Sequence, residues 1–174
     1  MGTKRVGLAR TQALIENLKR ELSMGANTSL AGLERPIKLV TAATTLTAAD
    51  SGKIIHWTHS SAHDITLPAA TVGLSFTFIL LAGAAAAHNI VTQTDDVIFG
   101  KVVVNSTTDD KVATQVVLKA AGKDKVFMHK TGATSGGDAG DVVTLVCAEA
   151  GYWVCNANLI TTNGTPSSIA TLTD

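Results

Sequence analysis

The chain has 174 residues, of which 45% are hydrophobic and 16% are charged, and its 14 basic and 14 acidic residues leave no net charge. This balance excludes the concentrated positive field that a nucleic-acid-binding surface needs. No stretch approaches the roughly 20 apolar residues of a membrane-spanning helix. The charged fraction is below the ~25% of an average soluble chain, so we expect much of the surface to be covered in an assembly.

The first residues, MGTKRVGLARTQAL, carry basic side chains but no apolar segment behind them, which is unlike a secretory signal. We therefore expect synthesis in a reducing cytoplasm, where Cys147 and Cys155 are buried thiols. The alternative is a cross-strand disulfide, because the two cysteines flank a predicted hairpin turn at Glu149–Gly151.

A helix is predicted from Thr3 to Met24, within an N-terminal arm of residues 1–24. Leu8, Ile15 and Leu22 recur every seven residues, and Leu18 lies at the other seam position. Two heptads are too short to be stable alone in water, so the helix needs a partner. That partner is a set of its own copies or a surface on which it docks. The alternative is an amphipathic helix folded back on its own domain.

Residues 25–38 are predicted to form a linker, because they are rich in Gly, Asn, Ser and Ala and because Pro36 would interrupt a helix. From residue 39 the pattern has a period of two, with runs of Thr and Val separated by turn residues. The fold predicted for residues 39–158 is an all-β sandwich or barrel of about ten short antiparallel strands. An extended C-terminal arm, rich in Thr, Ser, Asn and Gly, is predicted for residues 159–174. The predicted strands lie near 38–41, 53–58, 64–67, 75–81, 89–93, 97–104, 112–119, 124–130, 141–148 and 152–158.

The predicted core follows from alternation, because side chains two apart on a strand share a face. Each large side chain that is buried contributes ~1.5–3 kcal/mol. The residues selected in this way are Ile65, Leu67, Phe76, Phe78, Val97, Phe99, Val143 and Leu145.

The sequence offers few candidate metal-binding or catalytic residues. His56, His59 and His63 form H-x-x-H-x-x-x-H, a spacing compatible with zinc on a helix or finger. The region reads instead as a strand and a loop, so no metal ligand is assigned. Two acid pairs, Asp95–Asp96 and Asp109–Asp110, border turns or strand ends, where Asp is common without any catalytic role. We assign no catalytic residue and no cofactor, and we expect the protein not to be an enzyme.

Several segments share the order of turns and strands of one known module. Thr45–Lys53 reads TLTAADSGK, Asp64–Pro68 reads DITLP and Leu74–Ile79 reads LSFTFI. His88–Val91, Asp96–Gly100, Val142–Val146 and Gly151–Val154 continue the match. The pattern resembles a β module of bacteriophage structural proteins, found in capsid decoration (head cement) proteins and in tail fibre proteins. Arg5–Lys19 is also similar to the start of marine phage virion proteins, whereas Lys101–Lys130 matches no part of the pattern.

The resemblance implies a decoration protein on the outer surface of a phage head, made in the host cytoplasm. Its expected partners are the major capsid protein and two further copies of itself, because such proteins occupy threefold positions; no nucleic acid and no membrane are expected. The alternative is a tail fibre or adhesin subunit that binds a cell-surface glycan. A small β-sandwich hydrolase is a third hypothesis, which the spacing of the acidic residues does not favour. The residues expected to anchor the chain are Arg5, Leu8, Arg10, Ile15, Leu18, Lys19 and Leu22.

Overall fold

A computed structural model describes residues 7–21, 35–58, 61–83, 87–93, 95–108, 111–129, 136–162 and 172–173. The described residues are mostly β-strand, with one α-helix near the N-terminus. Short 3-10 turns occur at Ala48–Asp50 and Lys119–Ala121. The helix is α1 (Leu8–Glu21), and the strands are β1 (Ile37–Val40), β2 (Thr44–Thr45), β3 (Ile54–Trp57), β4 (His63–Thr66), β5 (Ser75–Leu80), β6 (His88–Val91), β7 (Val97–Ser106), β8 (Val112–Val117), β9 (Lys125–Met128), β10 (Val142–Glu149), β11 (Tyr152–Thr161) and β12 (Leu172–Thr173).

Each of the ten predicted strands has a counterpart in the structure, and two further strands, β2 and β12, are only two residues long. The strands form a seven-stranded sheet, in the order β1-β3-β5-β10-β11-β7-β8, and a five-stranded sheet, in the order β12-β9-β6-β4-β2. The prediction that all strands are antiparallel is wrong. Among the described strands, five pairings are parallel and five are antiparallel.

Four of the five parallel pairings arise because the chain alternates between the two sheets over β1 to β6, and the fifth joins β7 to β11. The odd-numbered strands β1, β3 and β5 join the seven-stranded sheet, and the even-numbered β2, β4 and β6 join the other. Parallel neighbours need a crossover connection, and here the crossover is a strand of the opposite sheet. In consequence Val40, Trp57 and Leu80 lie side by side on three neighbouring strands, and all three are buried.

One hydrophobic cluster takes side chains from both sheets. Ile55 and Phe78 come from the seven-stranded sheet, whereas Ile65 and Ile90 come from the five-stranded sheet. Six of the eight predicted core residues are buried: Ile65, Leu67, Phe76, Phe78, Val143 and Leu145.

Strand β7 has the opposite orientation to the one predicted. Val97 and Phe99 are only partly buried, and Ile98, between them, is fully buried. The parallel pairing with β11 places Ile98 beside the buried Trp153, so β7 presents Ile98 to the core. A one-residue shift in the assignment of a strand exchanges its two faces.

Asp50 fixes the corner that follows β2. Its Oδ2 accepts hydrogen bonds from Lys38 Nζ at 2.8 Å and from the backbone N–H of Thr47 at 3.1 Å, and its Oδ1 accepts one from Lys53 Nζ at 2.8 Å. Burial of Asp50 opposes ionisation, but these hydrogen bonds outweigh it and hold the pKa of the carboxyl well below its usual range. The charged corner therefore ties β1, at Lys38, to the chain that enters β3.

Asp141 fixes the chain that enters β10, using backbone amides alone. Its Oδ1 accepts the N–H of Ile160 and its Oδ2 accepts the N–H of Gly137, both at 2.6 Å. Burial raises the pKa of Asp141 to about 7, with a smaller contribution from Asp138, although the two N–H groups favour the carboxylate. The two aspartates therefore respond to pH with opposite sign.

The C-terminal boundary differs from the prediction. β11 runs on to Thr161, past residue 159, where the extended arm was predicted to begin. Leu172 pairs with Val126 of β9, is buried, and is held at its backbone N–H and C=O by the side-chain amide of Gln115. Leu172 is therefore part of this chain's own hydrophobic core and is stabilised there by burial.

Candidate interaction surface

The predicted anchor residues lie on or beside α1, which starts where the carbonyl of Gly7 accepts the N–H groups of Arg10 and Thr11. Arg10 is exposed, and Ile15 has 50% of its surface exposed. Leu14, which the seven-residue repeat did not select, is 59% exposed. Leu8, Leu18 and Lys19 belong to the helix, whereas Arg5 and Leu22 lie outside the described residues, as do both predicted ends, Thr3 and Met24.

A second candidate surface is the outer face of the seven-stranded sheet, defined as the side chains that alternate with the buried ones. The hydrogen-bonded register arranges these side chains in rows across the sheet. One row consists of Ile37, Ile54, Thr77, Thr144, Asn156, Lys101 and Val116. The next row consists of Leu39, His56, Ile79, Val142, Asn158, Val103 and Thr114.

The outer face is poor in charge. Lys101 is the one permanently charged side chain of the two rows. Arg35 approaches the first row from the chain before β1, donating Nε to the carbonyl of Gly52 and NH2 to Thr77 Oγ1. A face of aliphatic, Thr and Asn side chains is unusual for a surface that stays in water, where charged residues usually dominate.

Both edges of the seven-stranded sheet expose apolar side chains on this outer face. Ile37 and Leu39 on β1 are 59% and 61% exposed, and Val112 and Val116 on β8 are 61% and 63% exposed. An edge strand also presents unpaired backbone groups, so exposed apolar edges favour association with another chain. Sequence reasoning missed these residues; the available signal was that β1 and β8 carry apolar residues on both faces.

The structure groups the histidines differently from their spacing in the H-x-x-H-x-x-x-H segment. His63 meets Trp57 and His88, with ring centroids 5.3 Å and 4.9 Å away. His56 is instead on the outer face, and His59 lies outside the described residues. Among the residues that the structure describes, no group of three or more His, Cys, Asp or Glu side chains is placed to hold a metal ion.

The remaining candidate residues from the sequence are the two acid pairs and the two cysteines. Asp96 Oδ2 accepts the backbone N–H of Ala70 at 2.8 Å, and Asp95 has a φ of 72° in the turn before β7; Asp109–Asp110 lies outside the described residues. Cys147 and Cys155 are both buried free thiols. Burial raises the pKa of Cys155 to about 12 and also raises that of Cys147, which disfavours the reactive thiolate.

Comparisons with known proteins do not identify a family. No protein-family model matches the chain, and neither the curated proteins nor the solved structures contain a match. Within the described part of the chain, α1 is too short and too polar to cross a membrane.

Proposed function

We propose that this chain is a virion structural protein, a decoration (cement) protein that binds the outside of a phage head shell as a trimer. Its partner is then the major capsid protein. The observation that carries the proposal is the exposed apolar surface, present on α1 at Leu14 and Ile15 and on both edges of the seven-stranded sheet. The resemblance of Thr45–Lys53 and the segments that follow it to phage structural modules supplies the identity of the partner.

The energetics fit a protein that acts by binding alone. Burying a side chain such as Leu14 or Ile15 in an interface contributes ~1.5–3 kcal/mol. A protein that binds an assembled shell but not its separated subunits stabilises the shell by mass action. A ring of three copies multiplies this contribution, because the second and third contacts form at high effective concentration.

We further infer that the body is a β-sandwich whose two sheets face each other. The shared hydrophobic cluster supports this architecture, since it takes side chains from β3 and β5 on one side and from β4 and β6 on the other. Trp57, in the seven-stranded sheet, also contacts His63 and His88, which both lie in the five-stranded sheet, and this contact supports the same architecture. Such a body supplies rigidity, while α1 and the outer face supply contacts.

Binding to head shells tests the proposal. Ile15→Glu places a charge in the exposed apolar stripe of α1, and Ala13→Glu places the same charge about 160° away around the same helix. We expect the wild-type chain and A13E to co-sediment with shells of the source phage's major capsid protein, and I15E to remain in the supernatant. Equal binding of I15E and A13E, or no binding by the wild-type chain, would contradict the assignment.

The second candidate is a tail fibre or adhesin subunit that binds a host cell-surface glycan. The feature that favours it is the winding of β1 to β6, in which parallel strands stack in two sheets as in solenoid proteins. Mass spectrometry of separated heads and tails distinguishes the two candidates. Peptides of this chain in the head fraction support the decoration protein, and peptides in the tail fraction support the fibre.

A further inference from the structure

The hydrogen bond between Trp57 and His63 links the two sheets. Trp57 Nε1 lies 2.6 Å from His63 Nε2, and Trp57 is fully buried. An indole N–H can only donate, so His63 Nε2 must be an unprotonated acceptor. His63 Nδ1 lies 2.8 Å from the carbonyl oxygen of Ser61, which can only accept, so Nδ1 carries the proton. The contacts together define His63 as the neutral Nδ1–H tautomer.

We propose that this hydrogen bond is a pH-sensitive latch, which holds the corner between β3 and β4 closed and opens when His63 takes a second proton. Protonation at Nε2 would place two N–H donors against each other at a hydrogen-bonding distance. The interaction changes from attraction to repulsion, and the Trp57 N–H would lose its acceptor inside the core. Histidine is the side chain whose charge changes near neutral pH, so this change falls in a physiological range.

The structure places two titratable side chains near His63, which are His88 and Asp64. His88, on β6, packs against the His63 ring and is fully buried. Its neighbour in the five-stranded sheet is the buried Met128, which offers no charge. Asp64 follows His63 on β4, so its side chain lies on the opposite face of the strand and is exposed. Its Oδ1 accepts a hydrogen bond from Asn89 Nδ2. The neutral form of His63 accepts the Trp57 N–H, so it favours the closed corner.

The direction of the pH effect follows from these contacts. The closed corner requires the neutral form of His63. The stability of this corner is therefore lost as the pH falls through the range in which an imidazole titrates, near ~6.5 for an unperturbed side chain. The Asp50 corner loses its ion pairs only at lower pH, because the pKa of Asp50 is lowered. Asp141, whose pKa is raised to about 7, changes global stability with the opposite sign in the same range. A local probe at Trp57 is therefore needed.

The Trp57 environment provides that probe. Trp153 is removed by Trp153→Phe, a mild change because its buried Nε1 has no hydrogen-bond partner among the described residues. In this background we expect the emission maximum to shift to the red as the pH falls from about 8 to about 5, as Trp57 becomes hydrated. His63→Gln keeps an acceptor but does not titrate, and it should abolish the shift. His56→Gln, on the outer face, should retain it. A shift that survives in H63Q, or no shift in the parent, would overturn the latch.

A second measurement needs no variant at position 63. Correlation of the imidazole ¹⁵N and carbon-bound ¹H signals in the intact chain near pH 8 reports which ring nitrogen carries the proton. The latch requires the Nδ1–H tautomer at His63. The Nε2–H tautomer would refute it, even if H63Q failed to fold.

Discussion

The β body and the helix α1 use their apolar residues in opposite ways. In the body, Trp57, Phe76 and Trp153 are fully buried in one cluster. On α1, Leu14 and Ile15 are at least half exposed. Most of the stability of a protein comes from burial, so the body carries its stability within itself, whereas the apolar side chains of Leu14 and Ile15 on α1 stay largely exposed. Substitutions in the body should therefore change folding, and substitutions on α1 should change association.

The largest effect on folding is expected at Gly100. Its φ is 137°, and a Cβ there would overlap the backbone carbonyl of Cys155 on β11. Gly100→Ala must therefore separate β7 from β11 or strain the backbone, and we expect a loss of at least ~3 kcal/mol. Urea unfolding measures it. Gly52→Ala is the matched control, because Gly52 also has a positive φ but open space around its Cβ, and a similar loss there would contradict the explanation.

The next largest loss of folding stability is expected at Asp50. Asp50→Ala removes the carboxylate that Lys38, Lys53 and Thr47 share, and we expect a loss of ~2–4 kcal/mol at pH 7. Because the pKa of Asp50 is lowered, its contribution is present above about pH 4 and is lost as the pH falls further. Wild type and D50A should converge in stability at low pH. Unfolding curves at several pH values that stay parallel would contradict this.

A smaller effect is expected at Asp141. Asn keeps one acceptor but turns an N–H₂ group toward the N–H of Gly137 or Ile160, which should cost ~1–3 kcal/mol. The raised pKa, about 7, means that the folded state binds the extra proton, so the contribution of Asp141 is present below about pH 4 and lost as the pH rises through 7. Asp141→Asn should therefore be most damaging at low pH. A difference from wild type that grows between pH 4 and pH 7 would argue against the protonated carboxyl.

The smallest effect on stability is expected on β8, where one face is buried and the other is exposed. Val117 is buried and Val116, next to it, is 63% exposed. Val117→Thr puts a hydroxyl into the core and should cost ~1–2 kcal/mol, whereas Val116→Thr should change stability by less than ~0.5 kcal/mol. Thermal unfolding of the two variants tests the assignment of the outer face. Equal losses would mean that Val116 is covered within the same molecule.

The sequence predicted the strands well because alternation is a local signal. Phe76 and Phe78, two apart, identify β5 and its buried face without knowledge of any partner strand. Pairing is not local. The parallel neighbours Ile55 and Phe78 are separated by a strand of the other sheet, and nothing in either segment encodes that crossover. The strands β2 and β12 are too short to show any alternation.

The candidate surface was only partly predictable. The repeat of Leu8, Ile15 and Leu22 identified α1, and the structure shows Ile15 exposed. The outer face required the register, since Ile37 and Val116 are on opposite edges and share a row only after the strands are ordered. The contact of Trp57 with His88 was equally hidden, because these residues lie on different sheets.

The mass of the intact chain in solution, measured by light scattering, tests most directly the central proposal that α1 and the outer face make contacts between molecules. We predict a mass of three copies for the wild-type chain and for A13E, and a mass of one copy for I15E with an unchanged unfolding midpoint. A wild-type chain that stays a single copy at high concentration would contradict the claim, as would an I15E variant that still assembles.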